Sequence, residues 1–194
     1  MQLVQARPQL LRHARGYAPQ AIRVPDRQWD DSASARPRVL APGAHLKSAI
    51  ALSTADEIIL SQHIGDLETL KTREQLRKTV DDFLSLYAIQ PEAIACNLHL
   101  DYASTQLAQA LAKDRAIPLI PVQHHYAHIL SCMAEHRIQP PVLGVAWDGT
   151  GYGLDQTIWG GEFLNISHQG FERVAHLLPY CLPGGDCTFQ KAGR

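Results

Sequence analysis

The chain has 194 residues, 45% of them hydrophobic and 19% charged, with a formal net charge of −1. That is an ordinary globular composition, and its near-neutral charge gives no overall pull toward nucleic acid. No apolar run reaches the roughly 18 residues a transmembrane helix needs, and residues 1–8 lack the apolar core of a signal peptide, so the expectation is a soluble cytoplasmic protein without membrane or nucleic-acid partners.

Residues 1–40 hold seven arginines against three acids, a basic arm that can meet phosphate or be a solvated tail, and Arg12, Arg15 and Gly16 form a small basic cluster within it. Residues 18–45 carry Pro19, Pro25, Pro37 and Pro42 around Asp30-Asp31-Ser32-Ala33-Ser34, which reads as a linker or long loop with a boundary near residue 40. Beyond it the periodicity becomes legible. Ser48–Ser53 and Glu57–Gln62 are β-type runs joined at Thr54-Ala55-Asp56. Leu76, Val80, Phe83, Leu84 and Tyr87 share one face of a helix over 72–87, and Pro91 blocks its continuation. A short buried strand over 93–96 follows, then a helix over 102–113 with Asp101 as its expected cap, a strand over 117–122 and a third helix over 124–136. Strands are expected over 142–147, 157–166 and 171–177. Alternating strands and helices predict an α/β fold with a mixed, largely parallel core sheet. The return to strands after residue 141 suggests a second, similar lobe begun but not completed.

The third helix concentrates the chemistry. It reads His124-His125-Tyr126-Ala127-His128, with Cys132, Glu135 and His136 further on. At 100° per residue, His124, Glu135, His128, Cys132 and His136 fall within about 120° of arc. Tyr126, Ile129, Leu130 and Met133 form a separate apolar stripe that can pack on a sheet. The histidine face then looks away from the core. Imidazoles four apart lie on one face, one turn apart, and His124 with His128 can share a divalent ion. His125 can pair with His128 instead, and a solvated polar face is the alternative to both. The four cysteines, Cys96, Cys132, Cys181 and Cys187, have no Cys-x-x-Cys spacing and suggest neither a disulfide framework nor a zinc knuckle.

The apolar run Leu143–Trp147 ends in Asp148-Gly149-Thr150-Gly151. A glycine turn there offers a carboxylate to a cation and, through Gly149, Thr150 and Gly151, amides to a phosphate; a plain hairpin turn is the alternative. His99 and Asp101 stand at a strand-to-helix junction, where α/β folds place ligands, and Lys47 opens the first strand. These three are the candidate catalytic groups; a helix cap with a loop histidine, and a solvated lysine, are the alternatives.

Several blocks occur in order: Gly43-Ala44-His45-Leu46-Lys47, Ser61-Gln62-His63-Ile64-Gly65-Asp66-Leu67, His99-Leu100-Asp101-Tyr102-Ala103-Ser104-Thr105, Val122–His136, Asp148-Gly149-Thr150-Gly151, Trp159-Gly160-Gly161-Glu162-Phe163 and Leu182-Pro183-Gly184-Gly185-Asp186. Together they resemble the HypF carbamoyltransferases of nickel–iron hydrogenase maturation. Leu11–Pro19 resembles the end of the YrdC-like domain that precedes the TsaD-like domain in that family.

The resemblance implies an actin-like ATPase fold of ribonuclease-H-like lobes, with residues 1–40 a YrdC-like remnant and linker, 41–140 the first lobe and 141–194 the start of the second. It implies a zinc or iron ion on His124, His128 and Asp148, with a fourth ligand, an aspartate, in a later part of the second lobe. It implies ATP and carbamoyl phosphate as substrates, carbamoyl adenylate as intermediate, and the C-terminal cysteine of HypE as acceptor, with the remaining HypF domains as partners. Family members usually have Glu where His45 stands and Pro where Leu100 stands. After Asp186 the sequence departs from the family's Pro-Trp-Arg-type continuation, so a truncated chain, inactive alone, is expected. A non-catalytic docking module and a related tRNA threonylcarbamoyl- or O-carbamoyltransferase are the competing readings.

Overall fold

The computed structural model describes residues 2–4, 7–9, 21–23 and 36–178. It divides into two units, Met1–Val122 and Gln123–Arg194. In chain order the first contains β1 (Gln2–Val4), β2 (Arg7–Gln9), β3 (Ile22–Arg23), β4 (Val39–Ala41), β5 (Ala51–Ser53), β6 (Glu57–Leu60), α1 (Leu70–Leu86), β7 (Ala93–Asn97), α2 (Ala103–Arg115) and β8 (Leu119–Val122). The second contains α3 (His124–His136), β9 (Val142–Tyr152), β10 (Ile158–Ser167) and β11 (Gly170–His176). No helix among the described residues is long and apolar enough to cross a membrane.

The first unit is built on a six-stranded sheet of order β3-β6-β5-β4-β7-β8. β4 pairs antiparallel with β5 and parallel with β7, and β7 pairs parallel with β8. The sheet is therefore mixed, and the order β6-β5-β4-β7-β8 is that of a ribonuclease-H-like lobe. α1 forms because Leu76, Val80, Phe83 and Leu84 recur on one face and are buried together. The Thr69 hydroxyl starts it by accepting from the Thr72 amide at 3.2 Å, and Ala88, at φ +50°, closes it. Leu40, Leu52, Ile59 and Ile94 from the sheet join Leu76, Val80, Ala108 and Leu111 in one core. Complete burial of a side chain such as Leu40 contributes roughly 2 kcal/mol of transfer free energy.

Two expectations are corrected here. The proline-rich stretch 18–45 is not all linker: β3 pairs with β6, and β4 lies inside the sheet with Leu40 fully buried. Pro37 and Pro42 flank β4 rather than interrupt it, so neither removes a ladder donor. The Val39 amide donates to Ser53 Oγ at 2.7 Å and the Arg38 amide to Glu92 Oε2 at 2.8 Å, fixing the strand's entry. Asp101 is not the cap of α2. Tyr102 holds that position, and its side chain makes no capping bond to the helix. The Ala103 amide instead donates to His45 Nδ1 at 3.3 Å, across 58 residues.

In the second unit the order is β11-β10-β9, all antiparallel. α3 packs on β9 through Ile129 and Met133, both buried. Gly144 makes the approach possible, since a Cβ there would stand 2.5 Å from Ile129 Cδ1. The glycine turn at 148–151 is the third correction: β9 runs on through Tyr152. The reversal comes later, where the Gly153 amide donates to Thr157 O at 2.9 Å and the Gln156 amide to Gly153 O at 3.1 Å. Gly144 and Gly151, before it, serve close packing and not turning.

Candidate metal centre

Asp148 lies on the side of β9 that carries the buried Gly144 and Ala146, the side α3 packs on. A bulge aims it. The β9–β10 register passes from Gly161↔Trp147 to Trp159↔Gly151, so Asp148, Gly149 and Thr150 stand opposite Gly160 alone. A Cβ at Gly160 would lie 3.2 Å from Asp148 O. Within the bulge the Gly149 amide donates to Asp148 Oδ1 at 2.6 Å, which occupies one carboxylate oxygen and leaves Oδ2 directed at the helix.

Two imidazoles meet that oxygen. His124 Nε2 lies 2.5 Å and His128 Nε2 3.7 Å from Asp148 Oδ2, and the two nitrogens are 3.2 Å apart. The i, i+4 spacing on one helix face brings them together. Ligands about 2.0–2.1 Å from a tetrahedral ion are about 3.3 Å from one another. Two of the three separations are close to that edge, and the His124–Asp148 pair needs to open by less than 1 Å. The donor set of two neutral imidazoles and a carboxylate suits zinc or ferrous iron. These atoms form the His/Cys/Asp/Glu cluster of metal-binding geometry among the described residues. The side chains of His124 and Asp148 are 26% and 30% exposed and that of His128 is 59% exposed. The centre is thus open to solvent on one side, as a site that admits a substrate requires.

His125 behaves unlike its neighbours. At 100° per residue its phase falls among the outward histidines, yet it is fully buried. Its ring lies under Gly151, where a Cβ would be 2.4 Å from Cε1, and 6.0 Å from the Trp159 ring. Burial, followed by the charge of His124, pushes its pKa below the usual imidazole value. It is a core histidine, and the pairing of His125 with His128 does not occur.

The structure also holds groups that the sequence did not single out. Gln123 caps α3, with Oε1 accepting from the Tyr126 amide at 2.8 Å. At the β9–β10 reversal Asp155 accepts from Thr157 Oγ1 at 2.7 Å and Trp159 Nε1 at 2.8 Å, and these bonds lower its pKa to about 2. Arg173 bridges Asp155 Oδ2 at 3.1 Å and buried Glu162 Oε2 at 2.6 Å, with its guanidinium 4.3 Å from the centre of the Trp159 ring.

Of the remaining expected site residues, Lys47, His99 and Asp101 belong to the first unit, as does His45. His99 stacks on Tyr102 at 4.3 Å, and Tyr102 on His45 at 5.2 Å, beside the start of α2. The Lys47 amide donates to Asp66 Oδ1 at 2.7 Å, with Lys47 itself at φ +51° and exposed. Asp101 is exposed. Gly149 and Thr150 are exposed in the bulge and Gly151 is buried. Arg12 and Arg15 lie outside the described residues, as do Cys181, Cys187 and the run after residue 178.

Comparison with known proteins gives a consistent result. Residues 34–135 match the model of the HypF Kae1-like domain, and residues 144–194 that of the carbamoyltransferase Kae1-like domain, second subdomain. The carbamoyltransferase HypF of Synechocystis sp. is 44% identical over 185 residues, which is 95% of this chain and 23% of that protein. A crystal structure of full-length HypF in a phosphate- and nucleotide-bound form is 39% identical with TM-score 0.74, over 84% of this chain and 20% of that one. The crystal structure of HypF from T. kodakarensis is 36% identical with TM-score 0.80, over 90% and 22% respectively. The chain thus spans about a quarter of the length of the curated relatives it matches.

Proposed function

The chain belongs to the HypF carbamoyltransferase family, and on that premise we propose that it carries the metal centre at which a carbamoyl group is passed to a thiol. The observation that carries this reading is the convergence of His124 Nε2, His128 Nε2 and Asp148 Oδ2. A zinc or iron ion held by these three would supply Lewis-acid polarisation of a carbonyl or phosphoryl oxygen. Residues 1–40 would then be a YrdC-like remnant and linker, 41–140 the first lobe and 141–194 the start of the second, in a cytoplasmic enzyme.

The proposed reaction uses ATP and carbamoyl phosphate through carbamoyl adenylate, with the C-terminal cysteine of HypE as acceptor. The thiolate attacks the carbamoyl carbon, the C–S bond forms, the bond from that carbon to the adenylate oxygen breaks, and AMP leaves. The product thiocarboxamide is the precursor of the hydrogenase cyanide ligand. Gly149 and Thr150 of the bulge and the neighbouring Gly151 are assigned to the phosphate, with Arg12 and Arg15 as further phosphate contacts, and Lys47, His99 and Asp101 to the substrate. Support for nucleotide and phosphate comes from the relative solved with both bound.

Metal analysis tests the centre. The purified chain should hold about one equivalent of zinc or iron, and the double variant His124→Ala/His128→Ala should hold almost none. Equal metal content in the two proteins would sink the reading.

A further inference from the structure

We infer that Gln123 is a positioning residue for the His124–His128–Asp148 centre: its side-chain amide ties the first turn of α3 to the end of β9, and so sets where the imidazoles stand relative to the carboxylate. The inference rests on the metal-centre reading and deepens it.

Gln123 is 3% exposed. Its Oε1 is committed to the Tyr126 amide at 2.8 Å. That fixes the orientation of the amide, because the flipped arrangement would face NH2 with an N–H and the oxygen with a carbonyl. Nε2 then has two protons and two acceptors. One is Tyr152 O at 3.2 Å, on the strand that carries Asp148. The other is His125 Nδ1 at 3.0 Å. Since Nε2 is a donor, His125 Nδ1 accepts, and the proton of the neutral ring sits on its Nε2. Every polar atom of the Gln123 amide is satisfied in a buried place, and these three bonds hold the amide in one arrangement; the Nε2 of His125 has no hydrogen-bond partner among the described residues. Ligand His124 lies between Gln123 and His125 in the chain, and its Cδ2 would be 3.0 Å from a Cβ on Gly151. Residues that orient ligands without touching the ion typically change metal affinity when lost.

The experiment uses the full chain, with zinc alone and cobalt(II) alone as probes. Gln123→Glu keeps the acceptor that caps α3 and the side chain's size, and removes both donors. Its far-UV circular dichroism should match wild type, while its zinc dissociation constant rises about 10- to 100-fold and its cobalt d–d spectrum shifts. Gln123→Met, which removes the donors without adding a charge, should move affinity and spectrum in the same direction and guards against misfolding of the first variant. Long-range proton–nitrogen NMR gives a metal-free reading: His125 should carry its proton on Nε2 in wild type and on Nδ1 in Gln123→Glu, where a carboxylate accepts it. Wild-type zinc affinity with an unchanged cobalt spectrum in folded Gln123→Glu would overturn the inference, as would a proton on Nδ1 in wild type. Failure of the metal-centre reading shows elsewhere, in the His124→Ala/His128→Ala protein, and would remove the site that Gln123 is inferred to position.

Discussion

The two units begin their sheets alike and differ in what flanks the first strand. In the first unit β4 has β5 on one side and β7 on the other, and Leu40 at its centre is fully buried. In the second, β9 holds the corresponding place in the order β11-β10-β9 but pairs, among the described residues, on one side only. α3 covers one face of β9. On the other, Leu143, Val145 and Trp147 are 62%, 50% and 69% exposed. Large apolar side chains exposed side by side mark a surface that ordinarily meets another part of a protein. Among the described residues, the same strand that presents Asp148 to the histidines therefore also presents an open edge and an uncovered face. The His124–His128–Asp148 cluster sits on the less enclosed of the two sheets.

The sharpest way to break this contrast is to place a charge on each first strand. Leu40→Asp puts an unpaired carboxylate inside the first core and should cost about 4 kcal/mol or more. Loss of the cooperative urea transition, or of dispersed methyl signals from Ile50, Leu52 and Ile94, would report it. Val145→Asp on the open face should change stability by no more than about 0.5 kcal/mol and should improve solubility, because edge and face charges oppose association. If Val145→Asp proved as damaging as Leu40→Asp, the outer face of β9 would be covered in solution and the contrast would be lost.

How much of this was legible in the sequence depended on range. α3 was readable to the residue because its apolar stripe and paired histidines are both local. The convergence of His124, His128 and Asp148 followed, since a four-residue spacing is a helix property and Asp148 closes an apolar run. What stayed hidden was set by distant partners. β4 was masked by Pro37 and Pro42, which are harmless only because they flank the ladder. Asp148–Gly151 resembled a turn because glycine serves both turns and close approaches, and the ring of His125 that demands the approach lies 26 residues earlier. His125 itself defeats a helical wheel: its phase is outward, but β9 and β10 close over it. Gln123 was silent because Tyr152 O, its partner across the unit, is 29 residues away.

A smaller effect comes from glycines whose side-chain-free positions matter for different reasons in the two units. Gly151→Ala would set a methyl 2.4 Å from His125 Cε1. It should push α3 off β9, cost about 1–3 kcal/mol and weaken zinc binding by titration calorimetry. Gly65→Ala, in the first unit, meets nothing within 4 Å but sits at φ +104°. Its cost is backbone strain, of order 1–3 kcal/mol, and it should leave zinc affinity unchanged. A Gly65→Ala protein that lost zinc affinity as Gly151→Ala does would show the centre to depend on overall stability rather than on the approach of α3 to β9.

The smallest expected effect separates the units by pH. In the second, Asp155 has a carboxyl held at about 2 by Thr157 and Trp159. A carboxyl depressed by folding contributes stability that is present above its unfolded value near 3.8 and is lost as pH falls toward about 2. Because Asp155 is exposed, solvent screens the gain, so the change is a modest fall in melting temperature across that window. Asp155→Asn should flatten that part of the profile while keeping the protein folded at neutral pH, since Arg173 retains Glu162. The first unit, followed through Tyr87 fluorescence or residue-resolved NMR, should give the same acid profile in wild type and variant. If Asp155→Asn left the second unit's profile unaltered between pH 4 and 2, then the hydrogen bonds of the β9–β10 reversal would not be formed in solution, and the brace that holds Trp159 near His125 would have to come from Glu162 and Arg173 alone.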